Sequence, residues 1–259
     1  MTADAPAPSA DGPKDNKIDF KVNACGIQCP GPIMKLKKKI DEIEDGQVLQ
    51  ITATEMGFLK DIPAWCDSTC NELLSITTEN GVHAAVIRKG RPDVCCALPD
   101  TSFLQKEKTI VVFSNDLDRA LAAFIIANGA AAMDNKVTLF FTFWGLNILR
   151  KEEAAVKKDA ISAMFGAMMP KGPDALKLSK MHMGGMGTKM MKMIMQQKNV
   201  NSLGELIRGA MEQGVRFVAC SMTMDIMGIQ HEELIDGVEI GGVADYLNTA
   251  DRANMSMFI

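Results

Sequence analysis

The sequence has few of the features that mark hydrolases, metalloenzymes and nucleotide-binding enzymes. Its 259 residues include only three histidines, at His83, His182 and His231, and they occupy three unrelated segments. There is no HExxH, GxSxG or Walker A pattern and no paired-carboxylate pattern, and Gly184-Gly185-Met186-Gly187 does not follow a predicted strand at the spacing of a dinucleotide fingerprint. We therefore predict no hydrolytic machinery, no bound cofactor and no metal site.

Strong charge and long hydrophobic runs are also missing. The net charge of -4 and the pI near 5.5 argue against direct nucleic-acid binding through bulk charge. The longest apolar stretch, residues 120–133, is interrupted by Asn128 and Gly129 and is too short to span a bilayer. Residues 1–16 have no apolar core and are typical of a disordered tail. These features predict a cytoplasmic protein without a membrane span.

Cysteine, in contrast, is present at seven positions. An odd number of cysteines in a chain of this length does not suggest a secreted disulfide framework, so the thiols point to chemistry or metal binding.

The most informative cysteine is Cys29, in the motif Cys29-Pro30-Gly31-Pro32. Alternating apolar residues from Ile18 to Val22 predict a strand before it, and apolar residues at helical spacing from Ile33 predict a helix after it. Pro30 and Pro32 are tolerated in a first helical turn. This CPxP motif predicts a thiol at a helix N-terminus, where the helix dipole and free N–H groups should lower its pKa.

The first part of the chain, residues 17–90, predicts a two-layer α+β domain of order β-α-β-α-β-β. A strand at 47–54 precedes a helix that contains Trp65 and Cys66, and strands at 73–78 and 82–88 flank a tight turn at Asn80-Gly81. An antiparallel or mixed sheet covered on one face by two helices fits this order.

Residues 91–107 contain two prolines, little periodicity and the adjacent pair Cys95 and Cys96, and we predict a linker there. From residue 108 to 259 strands alternate with helices. Strands are predicted at 109–114, 136–142, 215–220 and 256–259, with helices at 116–133, 152–169, 203–213 and 243–248. This alternation predicts an α/β domain with a mostly parallel sheet and helices on both faces.

Cys220 ends the third buried strand and precedes a plausible helix start at Ser221, so its placement resembles that of Cys29. Ligands and catalytic groups collect at the carboxyl ends of parallel strands. A cysteine that merely packs in the core is equally common at such a position.

The segment NACGIQCPGPIMKLKKKI, with GFLKDIPAWCDSTCNELLS further on, resembles the TusA-type sulfur-carrier family across residues 17–90. The resemblance implies that Cys29 carries sulfane sulfur as a persulfide, with Pro30, Pro32 and Cys25 supporting it. This chain has Glu55-Met56 where many members have Asp-Pro. It also has Cys70 where glycine is common, which creates a Cys66-x-x-x-Cys70 pair.

The segment CSMTMDIMGI, with SLGELIRGAMEQGVRFVAC before it and EELIDGVEIGGVADYL after it, is similar to the larger, methionine-rich variant of the DsrE-like family across residues 108–259. This resemblance implies an α/β fold, self-association and a sulfur-accepting thiol at Cys220.

Ten of the 20 methionines lie between Met164 and Met195, with His182 among them. Three interpretations of this methionine-rich insert remain open. It can be an adaptable apolar surface, a Cu(I) site of thioether and imidazole ligands, or a membrane-surface contact.

Together these patterns predict a homo-oligomeric sulfur-relay protein that passes persulfide sulfur between protein thiols, with Cys29 and Cys220 as the reacting groups. Its expected partners are sulfur donor and acceptor proteins, such as rhodanese-like proteins. Its chemistry is that of a sulfurtransferase rather than of a multiple-turnover small-molecule enzyme. One alternative is a thiol-disulfide redox protein or sensor that uses the Cys25/Cys29 or Cys66/Cys70 spacing. A second is a copper chaperone built on the methionine-rich insert.

Overall fold

The computed structural model describes residues 17–90, 106–154, 156, 158 and 160–259. The predicted tail at residues 1–16 and the Cys95–Cys96 pair of the predicted linker lie outside this range. The described chain forms two sheets, one in an N-terminal unit (residues 17–90) and one in a C-terminal unit (residues 106–259).

The N-terminal unit has the predicted β-α-β-α-β-β order. Its sheet is mixed, with strand order β1-β2-β4-β3, and only the β1–β2 pair is parallel. At the tip of the β3–β4 hairpin, Asn80 and Gly81 have φ angles of 50° and 76°, as a tight turn requires. Apolar residues of both helices pack on one face of the sheet. The elements are β1 Phe20–Asn23, α1 Gly31–Glu42, β2 Val48–Ala53, α2 Phe58–Ser68, β3 Glu72–Glu79 and β4 Val82–Arg88.

The C-terminal unit contains a five-stranded sheet of order β8-β7-β6-β5-β9, and every described strand pair in it is parallel. The predicted α/β fold with a parallel sheet is therefore confirmed. Its elements are β5 Glu107–Val112, α3 Leu117–Ala132, β6 Lys136–Phe141, α4 Ala160–Met168, α5 Met186–Gln197, α6 Leu203–Glu212, β7 Arg216–Cys220, α7 Ser221–Met227, β8 Val238–Gly241, α8 Val243–Ala250 and β9 Met255–Phe258.

The two faces of this sheet are covered very differently. Helices α3 and α6 bury one face in the main core of the unit. On the other face, a small cluster of four buried residues is packed by Tyr246 of α8. Because strand side chains alternate between faces, Phe217 and Ala219 of β7 belong to the main core, whereas Val218 and Cys220 belong to the cluster under α8. The α8 face is therefore the thinly covered one.

Most of these elements were predicted from sequence, but the start of α4, helix α5 and strand β8 were not. At the start of α6 the predicted capping box is present: the Glu205 N–H donates to Ser202 Oγ at 3.3 Å, and the Ser202 N–H donates to Glu205 Oε2 at 2.7 Å. The predicted helix at 152–169 is wrong in its first part, since α4 begins at Ala160. There the Lys151 N–H donates to the Glu233 carbonyl, which ties the chain to another segment. Strand β8 was not predicted.

The two units pack against each other through α1 and α2. The Trp65 indole N–H donates to the Ala132 carbonyl at the end of α3, and Trp65 is only 1% exposed. Lys37 of α1 forms an ion pair with Asp134 just beyond α3. Met34 of α1 reaches Gly209 of α6 so closely that a Cβ at Gly209 would lie 2.6 Å from the methionine Cε. Helix α1 thus contacts the outer surface of both α3 and α6.

Among the described residues, no helix combines the length and the hydrophobicity that crossing a bilayer requires.

The contact between the units can be tested through Trp65. Replacing it with phenylalanine keeps most of the buried ring but leaves the Ala132 carbonyl without its donor, so Trp65→Phe should lower the free energy of unfolding by about 1–3 kcal/mol. Denaturant titration followed by circular dichroism measures this change. Trp144→Phe is the matched control, because Trp144 is 44% exposed and should change stability by less than about 0.5 kcal/mol. Equal effects of the two substitutions would contradict the assignment.

Candidate functional site

Cys29 lies in the loop that connects β1 to α1, and several hydrogen bonds fix this loop. The Cys25 N–H donates to Asn23 Oδ1 at 2.9 Å, and the Gly26 N–H donates to Thr54 Oγ1 at 2.8 Å. The backbone N–H of Cys29 itself donates to the Glu55 carboxylate. The Cys29 side chain is exposed and is a free thiol. The Cys29 thiol is therefore exposed to solvent on a loop whose backbone is fixed by these hydrogen bonds.

The two prolines and the glycine of the CPxP motif fit the start of α1 for separate reasons. Pro30 is the N-cap residue and Pro32 lies in the first turn, where a missing N–H costs little. Gly31 is needed for space, since a Cβ there would lie 2.3 Å from Ile27 Cγ2. As predicted, Cys29 is placed next to the helix N-terminus.

The predicted low pKa of Cys29 is wrong. Partial burial of the sulfur, followed by the negative charges of Glu55 and Asp61, raises the pKa of Cys29 to about 11. The motif itself partly explains why the Cys29 pKa is not lowered. Pro32 has no N–H, and the Gly31 N–H donates to the Gln28 carbonyl at 2.9 Å. The helix start consequently offers a thiolate fewer donors than a helix without these prolines.

Glu55 and Asp61 form a carboxylate pair beside the thiol. A Cβ at Gly57 would lie 3.1 Å from Glu55 Oε1 and 3.6 Å from Asp61 Oδ2, so the two carboxylates converge on this glycine. Burial raises the pKa of both carboxyl groups, and the charge of Asp61 raises that of Glu55 further. Sequence reasoning missed this role, although both residues lie in the segment that carries the family resemblance.

Cys220 is placed quite differently. It ends β7 and is the N-cap residue of the seven-residue helix α7, as predicted, but only 5% of it is exposed. Its neighbours in the small cluster are Val111, Phe140 and Val218, and the Tyr246 ring of α8 lies 5.1 Å from the Phe140 ring. In this structure the Cys220 thiol is therefore buried, whereas the Cys29 thiol is exposed.

A network of buried polar groups holds α7 in place. Thr223 of α7 is hydrogen-bonded to Thr142 at 2.9 Å, and Lys158 Nζ donates at 2.6 Å to the Gly228 carbonyl just after the helix. Lys158 also forms an ion pair with buried Glu233, whose other oxygen binds Arg150 Nη2 at 3.0 Å. These paired buried charges position the helix that follows Cys220. No motif in the sequence indicated them.

The other cysteines do not form the pairs that their spacing suggested. Neither Cys25 nor Cys29 is in a disulfide, and Cys66 is buried in the core of the N-terminal unit and is not in a disulfide either. Cys70 is disulfide-bonded, and since none of Cys25, Cys29, Cys66 and Cys220 is in a disulfide, its partner is not Cys66. Neither predicted redox pair is closed.

The methionine-rich insert forms the second half of α4, most of α5 and the turns between them. Exposed methionines lie along these segments, and the His182 ring nitrogen Nδ1 is hydrogen-bonded to Thr188 Oγ1 at 2.9 Å. The described residues contain no group of three or more His, Cys, Asp or Glu side chains placed to hold a metal ion. The exposed residues are Met164, Met168, Met181, Met183, Met186, Met190, Met191 and Met193.

Comparison with known proteins assigns both units. Residues 105–258 match the DsrE/DsrF/DrsH-like family, more than half of the chain. The chain belongs to this family. Residues 20–89 match the sulfurtransferase TusA family, so the chain joins a TusA-type unit to a DsrE-like unit.

Three relatives show how these units occur elsewhere. The uncharacterized protein YrkE of Bacillus subtilis (strain 168) is 55% identical over 155 residues, which are 60% of this chain and 97% of YrkE. The sulfur carrier protein DsrE2 of Allochromatium vinosum is 36% identical, over 60% of this chain and 99% of DsrE2. The sulfur carrier protein TusA of the same organism is 38% identical, over 28% of this chain and 95% of TusA. The chain is therefore a member of sulfur-carrier and sulfurtransferase families.

The electrostatics of Cys29 predict slow alkylation at neutral pH. At pH 8 a thiol with a pKa of about 11 is about 0.1% ionised, against about 9% for a pKa of 9.0. The alkylation rate of the Cys29 peptide, followed by mass spectrometry, should keep rising up to about pH 11. Glu55→Gln should speed alkylation at pH 8 by about two- to tenfold, because it removes one negative charge but not the burial.

Glu72→Gln is the control for this measurement. Glu72 forms an ion pair with Arg88 at 2.6 Å on the β3–β4 side of the unit. Its substitution should leave the Cys29 rate unchanged. A Cys29 rate profile with a midpoint at or below that of free cysteine would refute the described electrostatics.

The packing of Tyr246 on the cluster that contains Cys220 can be tested by substitution. Removing its ring in Tyr246→Ala should expose the cluster and raise the alkylation rate of Cys220 by about three- to tenfold, since reaction of a buried thiol depends on local opening. Tyr246→Phe keeps the ring and should behave like the unsubstituted protein. If both substitutions gave the same rate, the tyrosine ring would not be what covers the thiol.

Proposed function

We propose that this protein is a sulfur-relay protein that carries sulfane sulfur as a persulfide on Cys29 and on Cys220 and exchanges it with thiols of other proteins. The observation that carries the proposal is the exposed, free thiol of Cys29 on a hydrogen-bonded loop at the start of α1. A carrier of this kind needs a thiol that a second protein's sulfur can approach, and Cys29 meets that requirement.

Persulfide transfer requires an ionised thiol on the attacking protein and a donor cysteine that leaves readily as a thiolate. The acceptor thiolate attacks the outer sulfur of the persulfide, a new S–S bond forms, the old one breaks, and the donor cysteine leaves as a thiolate. With its pKa raised to about 11, the resting Cys29 is almost entirely protonated at neutral pH. A partner that brings a cationic side chain to Glu55 and Asp61 counters their charge and favours the thiolate.

Docking with partner proteins fits the surroundings of Cys29. The thiol lies near two acidic side chains, Glu55 and Asp61, and Met56, the residue after Glu55, is 73% exposed. Such a surface suits a partner with apolar and basic residues around its own cysteine. By the nature of the chemistry, that partner is a sulfur donor or acceptor protein, such as a rhodanese-like protein.

Self-association of the C-terminal unit is part of the proposal. On the thinly covered side of its sheet, two large apolar side chains of α8 face solvent: Val243 and Leu247. Exposed apolar patches of this kind mark protein contacts. The proposed homo-oligomer would use this side.

Persulfide mapping tests the proposed function. The protein is incubated with a low-molecular-weight persulfide donor, and each cysteine peptide is searched by mass spectrometry for one extra sulfur atom. We expect the sulfur on Cys29 and Cys220, loss of the Cys29 signal in Cys29→Ser, and loss of both signals in the Cys29→Ser, Cys220→Ser double variant.

Cys25→Ser is the matched control, because Cys25 is a free thiol in the same loop and should not be required for loading. Unchanged total loading in the double variant would overturn the proposal. Reversible Cys25–Cys29 disulfide formation without any persulfide would favour the thiol-disulfide alternative instead.

A further inference from the structure

The methionine-rich insert lines a small cavity that the proposed persulfide chemistry does not use. The cavity has a volume of ≈ 230 Å³. Gly187, Met190, Met191 and Ile194 line it from one face of α5, as residues spaced by three and four positions do. Met181 lines it from the segment that precedes the helix. Three methionines from two segments of the chain therefore surround one space.

The backbone of Met181 has a conformation that methionine rarely adopts. Its φ angle is 58°, in the left-handed region, which is unfavourable for a residue with a Cβ. The start of α5 lies directly against it, since a Cβ at Gly187 would lie 1.8 Å from the Met181 carbonyl oxygen. Unfavourable backbone conformations that the surrounding structure maintains are concentrated at sites that bind ligands.

Hydrogen bonds fix the segment that carries Met181. The Ser179 N–H donates to Asp118 Oδ1 at 2.8 Å, and the Ser179 hydroxyl donates to Asp118 Oδ2 at 2.6 Å, which ties the segment to α3. On the other side, the Leu178 N–H donates to Thr188 Oγ1 of α5 at 3.3 Å. Met181 therefore belongs to a segment that is attached both to α3 and to α5.

The chemistry of the lining favours a soft cation. Met181, Met190 and Met191 are all exposed, so these side chains remain accessible to a dissolved ion. Thioethers select Cu(I), whereas Mg²⁺ and Ca²⁺ require oxygen ligands. The two charged residues of the lining, Asp118 and Lys180, have opposite signs, and both oxygens of Asp118 already accept hydrogen bonds from a neighbouring serine. The cavity therefore offers more to Cu(I) than to a hard cation.

We propose that Met181, Met190 and Met191 form a Cu(I) site on the C-terminal unit. The ion is bound by three thioether sulfurs and keeps its oxidation state. Binding needs neither Cys29 nor Cys220, so this activity is additional to the proposed sulfur relay and does not depend on it. An apolar small molecule is the competing occupant of the cavity, and the experiments distinguish the two.

Methionine methyl resonances test the site directly. The protein is labelled with ¹³C at its methionine methyl groups, its accessible thiols are alkylated, and Cu(I) is added in the absence of oxygen. We expect the resonances of Met181, Met190 and Met191 to shift until one equivalent of Cu(I) is bound. The resonances of Met164 and Met168, which are exposed on α4 and do not line the cavity, should stay unchanged.

Three results of this titration would overturn the inference. One is the absence of any shift, and another is an equal shift of all exposed methionines. The third is a shift of the three cavity resonances with an apolar probe such as toluene but not with Cu(I), which would assign the cavity to an apolar ligand.

Competition with a coloured Cu(I) chelator measures the contribution of the three sulfurs. Leucine is close to methionine in volume but has no sulfur, so the Met181→Leu, Met190→Leu, Met191→Leu triple variant should keep its fold and bind Cu(I) about tenfold more weakly or worse. The matched control is the Met164→Leu, Met168→Leu double variant, which should bind like the unsubstituted protein. Equal affinities of the triple and double variants would overturn the proposal.

Gly187→Ala tests the placement of Met181 without removing a sulfur. The added Cβ would meet the Met181 carbonyl oxygen, so the segment must move away from α5 and Cu(I) binding should weaken. Gly129→Ala is the control, because a Cβ at Gly129 in α3 would have no neighbour within 4 Å. If both variants were folded by circular dichroism and bound Cu(I) equally tightly, the preformed site described here would be refuted.

Discussion

The burial of Trp65 against the end of α3 is the contact on which the arrangement of the two units depends. Its indole N–H satisfies the Ala132 carbonyl at a helix end, where carbonyl groups have no intrahelical partner. This contact joins the core of the N-terminal unit to the main helix layer of the C-terminal unit. Because Cys29 and Cys220 belong to different units, the same contact decides how far apart the two thiols lie.

The surroundings of Cys29 favour a stable thiol over a reactive one. The CPxP motif fixes the backbone around the sulfur, but it also removes N–H donors that would stabilise a thiolate, and Glu55 and Asp61 add negative charge nearby. Glu55 has a structural role as well, since its carboxylate accepts the Cys29 N–H. Glu55 thus helps to order the loop and also helps to keep the Cys29 thiol protonated. A protonated thiol suits a sulfur carrier that should react only with the correct partner.

Periodicity and turn chemistry predicted most of the fold, because strands, helices and tight turns depend on neighbouring residues. The hairpin at Asn80-Gly81 and the capping box at Ser202 are of this kind. The site was predictable only in part. The placement of Cys29 before α1 followed from the sequence, but its pKa depends on Glu55 and Asp61, which the fold brings to the sulfur from the start of α2. Cys220 is buried in a cluster with Val111, Phe140 and Val218, residues of three different strands, and nothing in the local pattern indicates that they come together.

The thin cover over Cys220 follows from the same packing that fills the opposite face. Helices α3 and α6 bury long apolar surfaces in the main core, so they can support the N-terminal unit on their outer side. In contrast, α8 buries only Thr249 among its eight residues, and a helix with so few buried side chains opens at low free-energy cost. The well-packed face therefore holds the N-terminal unit, and Cys220 belongs to the small cluster on the opposite face.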